Sequence, residues 1–301
     1  MEISTTLDQL VGNTPLLEVE TVNGATIYAK MEMQNPAGSI KDRIALEMVK
    51  EAFEKGLLHP GDKAVEATSG NTGIGLAFVC SIYGIHLTVL MPENMSKERQ
   101  TLMKAYGAEI VLTPKEGGMA LAEKMAEEYQ AKGYFFFDQF HNEANWHAHY
   151  RHTGPEIEEQ TQGNIDIFLA GFGTSGTLTG VGKYLKERHP ELKLIGMEPE
   201  ESPLLSEGHP GPHKIQGIGA NFVPPLLDEN LVDEIIRIPS EKAWEKANEM
   251  AKKGLFLGIS AAANLLGAEA IASRPENAGK RIVTVFPDGG SKYLSLDIYG
   301  K

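Results

Sequence analysis

The residues best placed to do chemistry lie in Asn35-Pro36-Ala37-Gly38-Ser39-Ile40-Lys41-Asp42-Arg43. Ser39 stands three residues before Asp42, and Ala45, Met48, Val49, Ala52 and Phe53 follow at helical spacing. This pattern predicts a capped helix start with one apolar face. Lys41 then falls in the first turn. An ammonium there opposes the helix dipole, by roughly 0.3–1 kcal/mol where exposed, so the field favours the neutral and nucleophilic amine. The competing reading of this window alone is a solvated surface lysine.

A second loop, Gly171-Phe172-Gly173-Thr174-Ser175-Gly176, has the G-x-G-x-x-G spacing of a dinucleotide site. It follows an apolar run, Ile165 to Ala170, and opens a helix, and Glu198 lies downstream where such a site keeps its ribose acid. The hydroxyls of Thr174, Ser175 and Thr177 favour a different ligand. Together with the backbone N–H groups they suit the several oxygens of a terminal phosphate better than a closely approached pyrophosphate. No Lys or Arg lies in the loop, so a helix N-terminus and neutral donors would hold the dianion.

A third loop, Thr68-Ser69-Gly70-Asn71-Thr72-Gly73, is polar and leads into an apolar helix. A reactive lysine, a monophosphate loop and this Ser/Asn/Thr loop together point to pyridoxal 5'-phosphate, with the lysine as its covalent partner. The runner-up is a nicotinamide-dependent dehydrogenase built on the Gly171 loop, which leaves Lys41 without a task.

The elements that must position these loops alternate along the chain. Runs at 14–19 and 26–31 read as strands around Asn23-Gly24, a hairpin signal. Ala64 to Ala67, His86 to Met91, Glu109 to Leu112 and Tyr134 to Phe137 read as strands separated by helices, which implies crossover connections in a mainly parallel sheet. The alternation restarts after Gln139. A helix around Asn145 to Thr161 is followed by strands at 165–170, 192–197, 235–238 and 281–286, with further helices between them. The span 198–225 is long and rich in Gly and Pro, the mark of a functional loop. The expected fold class is α/β, with two open, twisted, mainly parallel sheets flanked by helices. The expected division is a smaller domain at 35–140 and a larger one formed by 1–34 and 141–301.

Composition narrows the function classes. The 301 residues carry a formal charge of −13 with no basic cluster, so neither nucleic acid nor an anionic membrane is the expected partner. The start of the chain lacks a charged-then-apolar leader and no apolar run is long enough to span a bilayer, so a cytoplasmic enzyme of small molecules is expected. Cys80, the single cysteine, sits in an apolar segment and reads as a buried, inert thiol. His141, His147, His149 and His152 surround Trp146, but they match no zinc-ligand spacing and read as a partly exposed polar helix, so no metal is expected. Glu156, Glu158 and Glu159 read as a solvated helix face, and Met91, Met95 and Met103 as packing.

The whole chain resembles the cysteine synthase (O-acetylserine sulfhydrylase) family, relatives of the tryptophan synthase β-subunit. The residues that carry the resemblance are Gly12-Asn13-Thr14-Pro15, Asn35 to Arg43, Glu66 to Gly75, Gly173 to Thr177, Gly211 to Gly219 and Gly258-Ile259-Ser260. It implies the type II fold of pyridoxal-phosphate enzymes. It also implies that Lys41 carries the cofactor and acts as general base, that Asn71 bonds the ring's 3′ oxygen, and that Gly173, Thr174, Ser175, Gly176 and Thr177 hold the phosphate. Ser260 would meet the pyridine nitrogen, where a neutral hydroxyl makes the ring a weaker electron sink and favours β-elimination over transamination. Thr68, Ser69, Asn71, Thr72 and Gln139 would take the substrate carboxylate, and Gly217 would lie beside the substrate amine.

The implied reaction is replacement of the acetate of O-acetyl-L-serine by sulfide, giving L-cysteine. The resemblance also implies a homodimer and a complex with serine acetyltransferase. Some positions depart from the family pattern. Ser175 stands where glycine or threonine is usual and Asn221 where glycine is common, Ala261-Ala262 replace Ser-Gly, and Pro287-Asp288-Gly289-Gly290 replaces Pro-Ser-Ser-Gly. Asp288 is similar to the cystathionine β-synthase branch, which keeps open a β-replacement or β-elimination on cysteine, serine or homocysteine. A non-catalytic binding protein that kept the fold is a third reading.

Overall fold

The computed structural model describes residues 3–300, which fall into two compact units. One holds residues 3–11 and Asn35–Asn145, the other Gly12–Gln34 and residues 146–300. The segments 3–11 and 141–145 thus lie with the first unit, whereas the sequence division assigns them to the larger domain.

In the second unit the chain begins with a hairpin, β1 (Leu16–Val22) and β2 (Ala25–Lys30), paired antiparallel with a bulge between Glu18 and Glu20. Asn23 and Gly24 connect them with φ of +50° and +81°, the left-handed pair that a two-residue hairpin turn requires.

The first unit then takes over with α1 (Lys41–Glu54), β3 (Lys63–Ala67), α2 (Asn71–Tyr83), β4 (His86–Pro92), α3 (Lys97–Ala105), β5 (Glu109–Thr113), α4 (Gly118–Ala131) and β6 (Phe135–Phe136). Its sheet is parallel throughout, in the order β5-β4-β3-β6. Val65, Ala67 and Leu90 pack with Ala122 and Ala126 of α4 on one face. The start of α1 differs from the expected capping box. Ser39 Oγ accepts from the Lys41 N–H at 3.2 Å, but the Asp42 carboxylate reaches back five residues to the Ala37 N–H at 2.6 Å, closing the loop before the helix.

The remaining elements belong mainly to the second unit: α5 (Ala144–Ala148), α6 (Gly154–Thr161), β7 (Ile167–Gly171), α7 (Gly176–Lys186), β8 (Lys193–Pro199), α8 (Leu204–Glu207), β9 (Glu234–Ile238), α9 (Ser240–Lys252), α10 (Ile259–Ala272) and β10 (Arg281–Val285). Its sheet runs β1-β2-β10-β7-β8-β9, parallel except for the hairpin. Apolar layers cover both faces: Ile27, Ile167, Leu169 and Ile195 meet α10 residues such as Leu265 and Ala268, and Phe168, Leu194 and Val283 meet Leu178, Val181 and Leu185 of α7. Two mainly parallel sheets flanked by helices are the expected α/β organisation.

The single helix expected over 145–161 is interrupted. A π-helical turn, His149–Thr153, separates α5 from α6, and Pro155 follows at the start of α6 where its missing N–H costs nothing. Gly154 is obligatory, because a Cβ there would stand 2.8 Å from Tyr184 Cβ.

Candidate active site

In the first unit, Lys41 is the first residue of α1 and is half-buried. Its helix approaches α2 closely, since a Cβ on Gly75 would stand 3.0 Å from the Lys41 carbonyl oxygen. Gly75 therefore sets α1 against the turn that follows Asn71. The Thr68–Thr72 loop leaves the carboxyl end of β3, where open parallel sheets place ligands. Thr68 and Thr72 are buried, and Ser69 and Asn71 half-buried. The loop is tied at several points. The Thr68 N–H donates to the Leu90 carbonyl (3.0 Å), the Gly70 N–H to Thr68 Oγ1 (3.3 Å), and Arg99 to the Ser69 carbonyl (3.4 Å). Gln139 joins it from the loop after β6, its Oε1 accepting from the Thr72 hydroxyl at 2.6 Å. Met103 is fully buried and would stand 2.8 Å from a Cβ on Gly73, so it packs under this loop as expected.

In the second unit, the loop after β7 ends in Ser175, which caps α7 with φ of +69°. Glycine would adopt this left-handed conformation without penalty. The Ser175 hydroxyl is buried and makes no hydrogen bond within the protein. Gly173 has no room for a side chain, because a Cβ would lie 2.6 Å from the Gly217 carbonyl oxygen. Gly217 itself has φ of +95°, and the Gly219 N–H donates to the Phe172 carbonyl at 3.1 Å, so the 198–225 span is strapped to the loop. Asn221, also left-handed at φ +62°, accepts from the Ser202 hydroxyl at 3.0 Å. Ser260 is buried in the first turn of α10. A bare helix N-terminus, an unengaged buried hydroxyl and glycine where a side chain would fill the cradle fit a phosphate monoester bound by neutral donors.

The Glu198 carboxylate is not available to a ribose. It accepts from the Leu205 and Ser206 N–H groups (3.0 and 3.1 Å) and from the Ser206 hydroxyl (2.5 Å), anchoring the long loop. That removes the main support for a dinucleotide reading.

Residues 7–288 match the family described as pyridoxal-phosphate dependent enzyme. The chain belongs to this family. It is 48% identical over 299 residues to cysteine synthase of Staphylococcus aureus, an alignment that spans 97% of this chain and 96% of that one. Among solved structures it is similar to cysteine synthase of Entamoeba histolytica (TM-score 0.95, 40% identity, 99% of this chain and 91% of that chain). It is also similar to a hydrogen sulfide-producing enzyme of Fusobacterium nucleatum (TM-score 0.93, 40% identity, 98% and 99%). The family's type II fold and its cofactor, pyridoxal 5'-phosphate, are therefore those expected from the sequence.

Some features of this family member were not legible in its sequence. Asn264 lies in an apolar helix yet is almost fully buried. Its Oδ1 accepts from the Gly171 N–H and its Nδ2 donates to the Val285 carbonyl, each at 2.8 Å, so it clamps the ends of β7 and β10 to α10. A lone Asn within Ala262-Ala263-Asn264-Leu265-Leu266 is the signal that could have found it.

Glu156 is not the solvated residue expected. It pairs with the fully buried Lys30 at 2.7 Å, a cation that needs a counter-charge, and accepts from the Asn13 N–H at 3.0 Å. Lys30 also donates to the Thr14 carbonyl, which gives the Gly12-Asn13-Thr14-Pro15 motif a structural role. Glu158 is half-buried against His189 at 2.7 Å.

His149 is buried, with Nδ1 2.9 Å from Thr153 Oγ1 and Nε2 3.2 Å from Thr177 Oγ1. His141 lies by Asp138 at 2.9 Å, and His147 packs on Trp146. Among the described residues no group of three His, Cys, Asp or Glu side chains is arranged to hold a metal. Cys80 is free and buried, and burial pushes its thiol far above the usual range, as expected of an inert residue. Asp288 is buried with its Oδ2 accepting from the Tyr293 hydroxyl at 2.7 Å, and its Oδ1 would meet a Cβ on Gly258 at 2.0 Å. Among the described residues no helix is long and apolar enough to cross a membrane.

Proposed function

We propose that this enzyme replaces the acetate of O-acetyl-L-serine with sulfide, releasing L-cysteine. The observation that carries the reading is 48% identity to a cysteine synthase along 97% of the chain. The two loops described above support it. Bound pyridoxal phosphate supplies the electron sink that weakens the substrate's Cα–H bond and then its Cβ–O bond. The chain's residues divide the remaining work. Lys41 holds the cofactor, and its amine, once released, takes the Cα proton on Nζ as general base. Gly173, Thr174, Ser175, Gly176 and Thr177 bind the phosphate, Asn71 the ring's 3′ oxygen, and Ser260 the ring nitrogen without adding a charge. Thr68, Ser69, Asn71, Thr72 and Gln139 bind the substrate carboxylate, and Gly217 lies by its amine. Acetate departs with the Cβ–O electrons, sulfide then forms the Cβ–S bond, and the proton held on Lys41 Nζ returns to Cα, so that the product keeps its Cα–H.

Asp288 and the similarity to a hydrogen sulfide-producing enzyme favour a second reading, β-elimination or β-replacement on cysteine, serine or homocysteine. We also assign residues 35–140 to the smaller domain, and infer a cytoplasmic homodimer that can engage serine acetyltransferase.

The test is the visible spectrum of the purified holoenzyme with O-acetylserine, with sulfide added next, and separately with cysteine. A band that shifts with O-acetylserine and returns with sulfide, with cysteine among the products, supports the proposal. Sulfide released from cysteine, with no response to O-acetylserine, moves the activity to the second reading. Lys41→Ala should lower turnover by at least about a thousandfold, and retained activity would remove Lys41 from the mechanism.

A further inference from the structure

His149 is buried in the π-helical turn, and hydroxyl groups meet both nitrogens of its ring. Nδ1 lies 2.9 Å from Oγ1 of the buried Thr153 in the same turn, and Nε2 lies 3.2 Å from Thr177 Oγ1 in the first turn of α7. The backbone is shaped for this long-range contact. A Cβ on Gly180 would stand 2.7 Å from His149 Cβ, and one on Gly154 2.8 Å from Tyr184 Cβ, so two glycines let α7 lie against the turn. Single π-helical turns recur at functional sites. Here the turn delivers an imidazole to the helix start that follows Ser175.

The geometry points to His149 as a positioning residue that, with its proton on Nε2 and Thr153 donating to Nδ1, makes the Thr177 hydroxyl a donor to phosphate. A hydroxyl has one proton to give, and phosphate oxygens are acceptors. A lone pair on Nε2 would claim that proton and leave Thr177 facing the anion with lone pairs. A proton on Nε2 has the opposite effect, because it occupies a lone pair of Thr177 and frees the O–H for the ligand. Nδ1 of the neutral ring is then an acceptor, and the Thr153 hydroxyl supplies its donor. Each bond in such a chain polarises the next. The Gly171–Gly176 loop brings no Lys or Arg, so a phosphate there depends on the direction of its neutral donors. This inference rests on the proposed assignment of Gly173 to Thr177 to the cofactor phosphate.

The experiment measures binding of pyridoxal 5'-phosphate, and of pyridoxal, which lacks the phosphate, to the full-length protein stripped of cofactor. Equilibrium dialysis compares wild type, His149→Leu and His149→Gln. The aldehyde is the same in both ligands, so the ratio of their dissociation constants reads the phosphate contacts. Leucine fills the space without a donor, whereas glutamine keeps an N–H near the place of Nε2. The expected result in His149→Leu is a dissociation constant roughly 3- to 10-fold higher for pyridoxal 5'-phosphate and unchanged for pyridoxal, with most of the loss recovered in His149→Gln. An equal loss for both ligands marks a structural role and overturns the inference, as do unchanged constants or a glutamine variant as weak as the leucine one. Nitrogen-15 NMR of wild type with labelled histidine keeps the test open should neither variant fold. In the cofactor-loaded protein the His149 proton is expected on Nε2, and a proton on Nδ1 overturns the inference. A wild type that binds both ligands equally overturns the underlying phosphate assignment, an outcome distinct from the others.

Discussion

The Thr72 hydroxyl donates to Gln139 Oε1 at 2.6 Å, so the first turn of α2 fixes which end of a buried amide faces the Thr68–Thr72 loop. Thr72→Val keeps the shape and removes the donor. A net hydrogen bond is worth about 0.5–1.5 kcal/mol, so the expected result is a KM for O-acetylserine raised roughly 3- to 10-fold, with a stability loss of the same order. Steady-state kinetics and urea denaturation measure both. An unchanged KM would mean that Gln139 is oriented by other contacts.

Ser175 is the cap of α7 and carries both a strained backbone and an unengaged hydroxyl. The two features predict opposite effects for Ser175→Gly. Glycine adopts φ +69° without penalty, so the cofactor-free protein should unfold at equal or higher denaturant, by up to about 1 kcal/mol. Loss of the hydroxyl should weaken pyridoxal phosphate binding by roughly 3- to 10-fold. Equilibrium dialysis of the apoprotein checks the second effect, and tighter cofactor binding would argue against a phosphate contact.

The placement of the candidate loops was legible where residue identity and spacing themselves dictate local structure. The places of Lys41 at a helix start, of the Thr68–Thr72 loop after a strand and of the Gly173–Thr177 loop before a helix could be read because short polar and glycine-rich runs punctuate the apolar elements there. The hairpin could be read because Asn23-Gly24 tolerates left-handed backbone. Long-range pairing was not legible. Glu156 resembles any acid on a helix face until Lys30, 126 positions earlier, is found buried against it. The π turn at His149–Thr153 was missed because it leaves the apolar pattern nearly unchanged and shows only in where the ring of His149 ends, beside Thr177. Asp42 was read as a local cap, and the structure has it closing the preceding loop instead.

Glu66, buried in β3, predicts a pH dependence of stability. Its acidity lies near 4.5 in the unfolded chain and is pushed up to about 8 by burial in the fold. Between these values the folded protein binds more protons than the unfolded one, so the group's contribution falls as pH rises from 4.5 towards 8 and stays lost above that. The loss is at most on the order of 5 kcal/mol. Glu66→Gln, which cannot ionise, should therefore gain stability relative to wild type between pH 6 and 9 in urea unfolding. A difference between the two proteins that does not change with pH would show that Glu66 is ionised in the fold.

Asn264 joins three elements through one amide, with Gly171 at the end of β7 immediately before the Gly173–Thr177 loop. Asn264→Ala would leave the Gly171 N–H and the Val285 carbonyl without their side-chain partner in a buried setting, at about 1–3 kcal/mol for each group left unsatisfied. A stability loss of roughly 2–4 kcal/mol is expected, together with weaker cofactor binding, because the loop's first residue is no longer tied to α10. Asn264→Asp separates the two bonds. It keeps an acceptor for Gly171 and loses the donor to Val285, so its cofactor affinity should exceed that of the alanine variant even if its stability does not. Should both variants bind the cofactor as wild type does, the clamp serves the sheet alone and the loop is held by Gly217 and Gly219.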